Sequence, residues 1–130
     1  MPTLEVYLPE GHWPARKAQF IAGLTQATMT AIGAPTESVR ILLNELPPHD
    51  FGLGGASSAN QATARTSLLT IVAILIAGRT PVQKAALIAA LSKTSADILD
   101  TPLAVTRVMI KDIPNTDFGI GGQTAKSLGR

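Results

Sequence analysis

VRILLNELPPHDFGLGG (residues 39–55) recurs 67 positions later as TRVMIKDIPNTDFGIGG (106–122). The same shift brings Gly11 over Gly78, Pro14 over Pro81, Lys17 over Lys84, Pro35 over Pro102 and Arg40 over Arg107, without a gap. Self-similarity on this scale decides the fold before any local propensity does. Two copies are too few for a solenoid, so the chain reads as a small subunit duplicated and fused, with units at 1–63 and 64–130 forming one pseudo-dimeric domain.

Each copy carries the same pattern. In the first, Leu4, Val6 and Leu8 alternate with Thr3, Glu5 and Tyr7, the period of a half-buried strand. The matching strand is expected at 68–76, and second strands at 39–45 and 105–112. Between them, Phe20, Ile21, Leu24, Ala31 and Ile32 form a helical stripe that Leu87, Ile88, Leu91, Ile98 and Leu99 repeat. Thr80, Pro81 and Gln83 supply an N-cap, a first-turn proline and a capping box. Gly33 suits a left-handed stop for the first helix, with Pro35 barring its continuation. The segments DFGLGG and DFGIGG read as turns or small hairpins.

A strand–helix–strand unit requires a parallel strand pair. Two such units joined edge to edge give an α+β fold: a four-stranded sheet with both helices on one face. The other face cannot stay wet, because TIVAILIA (70–77) is apolar on both sides, and further copies of the chain would cover it.

Composition excludes several classes. The 130-residue chain has a net charge of +2 with scattered basic residues, a poor footprint for nucleic acid. It has no cysteine and two isolated histidines, His12 and His49, so neither a disulfide framework nor a metal set is expected. The longest apolar run, LLTIVAILIAG (68–78), is too short to span a bilayer as a helix and lies mid-chain, where no signal peptide sits. The expectation is a cytoplasmic protein without membrane contact.

Taken together, Pro2 behind Met1, EGH and AGR after the first strands, SVRILLNEL with its arginine, and FGLGG with FGIGG resemble the tautomerase superfamily, specifically its 4-oxalocrotonate tautomerase group. Two copies in one chain are similar to the fused members of that group. The resemblance implies a β-α-β fold, a trimer of fused chains, no cofactor, and catalysis of enol–keto tautomerisation of small unsaturated 2-oxo or 2-hydroxy (di)carboxylates. It also implies that Pro2, once Met1 is removed, is the general base. Of the family's arginines, the one after the first strand survives as Arg79, where the first copy has His12. The second arginine matches both Arg40 and Arg107, and the aromatic wall matches both Phe51 and Phe118. Which of each pair faces Pro2 is left open by the sequence.

The chemistry suits these residue types. A proton shuttle near neutral pH needs an uncharged base. An α-amino group ordinarily titrates at roughly 8, and burial beside arginines disfavours its charged form. The position matching Pro2 in the second copy is Leu69, whose nitrogen is a peptide amide, so one amine-bearing pocket per chain is expected. Retained Met1 would make the Pro2 nitrogen an amide too and leave a non-catalytic assembly. Hydratase or dehalogenase chemistry is the alternative activity on this fold. It would need a carboxylate where this chain has Leu53 and Ile120, or one supplied from elsewhere.

Plainer readings compete. Arg40 and Arg107 could pair with Glu45 and Asp112, and Phe51 and Phe118 could be packing residues. Arg79 could be an ordinary surface charge. His12 reads as solvated, Trp13 as a cover for the start of the first helix, and Tyr7 as facing a helix or a subunit contact.

Overall fold

A computed structural model describes residues 1–60 and 68–130. The first copy forms β1 (Thr3–Pro9), α1 (Pro14–Ile32) and β2 (Arg40–Leu46), followed by the short strands β3 (Gly52–Leu53) and β4 (Ala56–Ser57). The second forms β5 (Leu69–Ile76), α2 (Pro81–Leu99), β6 (Thr106–Ile113), β7 (Gly119–Ile120) and β8 (Gln123–Thr124). Both DFGxGG segments lead into two-residue antiparallel hairpins, β3 with β4 and β7 with β8. The unit boundary expected at 63/64 lies outside the described residues.

The main sheet runs in the order β2-β1-β5-β6. Each unit contributes a parallel pair, and the two units meet at an antiparallel β1–β5 seam in which Thr3 faces Ile74 and Tyr7 faces Thr70. Leu4, Val6 and Leu8 on β1, and Leu69, Ile71, Ala73 and Leu75 on β5, point to one side and are buried. Phe20, Leu24, Leu87 and Leu91 from the two helices close the same core. At about 1.5–3 kcal/mol for each large apolar side chain buried, this single layer of contacts dominates the fold's stabilisation.

The helix stripes differ from their expected composition in one respect. Ile21 and Ile88 are 39% and 40% exposed, while Thr28 and Ser95 take fully buried places in the stripes. The reason is local: Thr28 Oγ1 donates to the Leu24 carbonyl at 2.8 Å and Ser95 Oγ to that of Leu91 at 2.7 Å. A hydroxyl satisfied by its own helix can be buried cheaply, and its small volume lets helix and sheet approach.

Caps follow the sequence signals. Thr80 Oγ1 accepts from the Gln83 amide at 3.2 Å, and the Thr80 amide donates to Gln83 Oε1 at 3.0 Å, completing the capping box. Gly33 ends α1 in the left-handed region, its N–H donating to the Met29 carbonyl at 2.9 Å. The equivalent stop of α2 is Asp100, at φ 56°. Trp13 is the N-cap residue of α1, but it makes no side-chain cap bond and is 80% exposed, so it does not cover the helix start.

On the face away from the helices, Thr3, Glu5 and Tyr7 of β1 and Thr70, Val72 and Ile74 of β5 are half-buried, with Leu42 and Met109 exposed on the flanking strands. That face is more mixed than TIVAILIA alone suggests. The Tyr7 hydroxyl donates there to Glu5 Oε2 at 3.2 Å.

Candidate active site

The start of β1 lies at the end of the sheet where β2 also begins, because the parallel register sets Thr3 beside Arg40. The Arg40 amide donates to the Pro2 carbonyl at 3.0 Å, tying the chain's first residues into the sheet. Pro2 itself is fully buried and Met1 half-buried. Since β5 runs antiparallel to β1, its far end and the residues after it, Ile76 to Arg79, arrive at the same corner.

Two cavities meet at Met1. One, about 320 Å³, is lined by Met1, Glu37, Ser38 and Arg40 from the first copy and by Phe118 and Ile120 from the second. The other, about 270 Å³, is bounded by Met1, Pro35, Ile76, Arg79 and Arg130. Arg40, Arg79 and Arg130 thus border one amino-terminal corner, and Phe118 walls it. The amine at Met1 titrates below its ordinary value of 8.0, first because burial disfavours the ammonium, then because the Arg79 and Arg130 guanidiniums repel it.

The hairpins are exchanged between the copies. Phe118, on the turn before β7 of the second unit, lies by the start of the first unit. Phe51, before β3 of the first unit, lies with Leu68, Thr70 and Arg107 of the second. Arg107 donates through Nη1 to the carbonyls of Ala104 at 2.8 Å and Thr106 at 3.2 Å. Within one chain, therefore, Arg40, Arg79 and Phe118 gather at Met1 and Pro2, whereas Arg107 and Phe51 gather where the second copy has only peptide nitrogen.

The carboxylates that could have occupied the strand arginines are engaged elsewhere. Glu45 pairs with Lys17 and Asp112 with Lys84, the same pair repeated in each copy. The Arg79 guanidinium donates through Nη1 to the Ile76 carbonyl at 3.5 Å.

Two residues at this corner escaped sequence reasoning. Glu37 lies in the short 3-10 turn preceding β2. Arg130 is held through its main chain: its amide donates to the Ala125 carbonyl at 2.9 Å, and its main-chain oxygen accepts from Asn115 Nδ2 at 2.9 Å. The 67-residue shift sets Arg130 over Thr63 and Glu37 over Ala104. That departure from the repeat was the available signal, since residues serving one pocket alone need no counterpart. Among the described residues no group of three or more His, Cys, Asp or Glu could hold a metal ion, and no helix is long and apolar enough to cross a membrane.

Comparison with known proteins bears on both copies. The family model described as "Tautomerase enzyme" matches residues 2–61 and again 71–127. A 2-hydroxymuconate tautomerase of Pseudomonas sp. (strain CF600) is 45% identical over 55 residues, covering 42% of this chain and 87% of that protein. A native fused 4-OT of known structure is 70% identical, with a TM-score of 0.93, covering 98% of this chain and 99% of the other. A second fused 4-OT, described as an asymmetric trimer, is 66% identical with a TM-score of 0.92 over the same shares.

Proposed function

The chain belongs to the tautomerase family and is an isomerase, and on that premise we propose that Pro2, freed by removal of Met1, is its general base. The substrates proposed are small unsaturated 2-hydroxy or 2-oxo acids, dicarboxylates above all, interconverted between enol and keto forms without a cofactor. The 2-hydroxymuconate tautomerases among its relatives support this substrate class. The observation that carries the reading is the gathering of Arg40, Arg79, Arg130 and Phe118 around the one corner of the chain that can bear a free amine.

The steps follow from these groups. The neutral Pro2 nitrogen takes the enol hydroxyl proton, the O–H electrons form the carbonyl, and the double bond shifts along the chain to take the proton back at carbon. Arg40, presenting a planar fork of donors, stabilises the oxygen as charge develops. Arg79 and Arg130 hold the carboxylates, and Phe118 keeps water out. A surrounding of cations serves base and substrate at once: it disfavours the ammonium and attracts the dianion.

A hydratase reading has one observation in its favour. Glu37 lines the cavity at Met1 and could activate a water there, although Ile120 on the facing hairpin is apolar. Turnover of an enol dicarboxylate in ¹⁸O-labelled water separates the two, since tautomerisation leaves the label out of every carbon-bound position that does not exchange spontaneously. For the base itself, Pro2→Ala is expected to lower kcat/KM by about 10²-fold or more while the assembly persists. Near-normal turnover would sink the mechanism, as would an intact mass that includes Met1 in the active protein.

The mixed outer face of the sheet and the trimeric fused relatives support a homo-oligomer, and a trimer of chains is the state proposed.

A further inference from the structure

The start of β5 and β6 borders a cavity of about 360 Å³, within the range of small-molecule sites. Its wall repeats that of the amino-terminal cavity under the 67-residue shift: Leu68 for Met1, Arg107 for Arg40, Phe51 for Phe118 and Leu53 for Ile120. Two positions differ in kind. Ala104 stands where the first cavity has Glu37, and Val105 where it has Ser38. The amine is gone as well, because the chain continues through Leu68 into Leu69. What remains is the cation and the aromatic wall, without the base and without the opposing carboxylate.

Those losses change the ligand rather than remove it. Arg107 is oriented by its Nη1 bonds to the Ala104 and Thr106 carbonyls, which occupy one of the three guanidinium nitrogens. Among the described residues no acidic side chain lines this cavity to compete for the rest of the fork, and Asp112 on the same strand is paired with Lys84. Leu53, Leu68, Ala104 and Val105 leave a hydrocarbon wall beside Phe51. We propose that this second cavity binds a short amphipathic monocarboxylate, its carboxylate on Arg107 and its apolar body against Phe51 and Val105, and holds it without turnover. The assignment is independent of any role for Pro2.

Titration of the full-length protein with trans-cinnamate, followed by amide chemical shifts, tests it. Saturable shifts are expected at Leu68, Ala104 and Val105. Acetate, which has the charge without the hydrocarbon, and cinnamyl alcohol, which has the reverse, should each bind at least tenfold more weakly there. Ala104→Glu restores the carboxylate of the first cavity on an exposed wall and should weaken cinnamate binding at least tenfold. Arg107→Ala should do the same, and thermal melts report whether each variant is folded. Shifts confined to the residues around Met1, or a folded Ala104→Glu protein that binds as tightly as the parent, would overturn the assignment.

Discussion

The Met1 amine meets burial, Arg79 and Arg130, in that order of influence, and all three favour its neutral form. For the processed chain, whose Pro2 amine would lie beside the same guanidiniums, the acidic limb of kcat/KM is expected to move upward in Arg79→Ala and, to a smaller extent, in Arg130→Gln. A pH–rate series on each variant checks it. If Arg130 also holds a carboxylate, Arg130→Gln should raise KM for a dicarboxylate more than for the matching monocarboxylate; equal effects would limit it to a field effect. The same lowered value has a consequence for folding. Between the lowered value and 8.0 the unfolded chain binds more protons at this amine, so stability rises with pH through that window and the effect vanishes above it. At this scale motif position brought Pro2 and Arg79 forward, and the structure sets both at the amino-terminal corner, whereas Arg130 and Glu37 stand at no motif position and are marked only by their departure from the repeat. It also left the choice between Arg40 and Arg107 open, because both occupy the same place in their own strand and only three-dimensional proximity to Met1 separates them.

Caps and stripes belong to the elements, where the sequence was most legible, since their signals are local. Both parallel pairs follow from the strand–helix–strand order, both hairpins from glycine pairs, and the start of α2 from its capping residues and Pro81, while α1 begins at the equivalent Pro14 without a side-chain cap. The misreading of Ile21 and Ile88 arose because hydrophobicity alone ranks isoleucine above threonine and serine, while an i−4 carbonyl can satisfy a buried hydroxyl. Two stability measurements follow. Thr80→Ala removes the bond that Thr80 Oγ1 accepts from the Gln83 amide, leaves the residue-80 amide donating to Gln83 Oε1, and should cost about 1 kcal/mol in a denaturant melt. Asp100→Gly should stabilise by roughly 1 kcal/mol, because a left-handed stop strains any residue with a Cβ, and the first copy already uses glycine there. Loss of stability on Asp100→Gly would mean that the aspartate side chain contributes more than its backbone costs.

The assembled molecule is where sequence reading reached least far. Duplication announced a pseudo-dimer, and the seam between β1 and β5 realises it, but periodicity cannot say over which unit a hairpin folds. The outer face of the sheet, with Leu42 and Met109 exposed on its flanks, predicts that the chain sediments as an oligomer at micromolar concentration, a trimer under the proposed reading. A charged substitution such as Met109→Asp should shift the distribution towards smaller species, readable by analytical ultracentrifugation, while leaving far-ultraviolet circular dichroism of the remaining fold intact. A monomeric parent protein would rule out that role for the face.

Because each hairpin reaches across to its sibling's doorway, neither half is free to drift alone. Under the proposed mechanism the copy with no amine furnishes an aromatic barrier and guanidinium groups to the copy that has one, so substitutions in either repeat are expected to reach turnover.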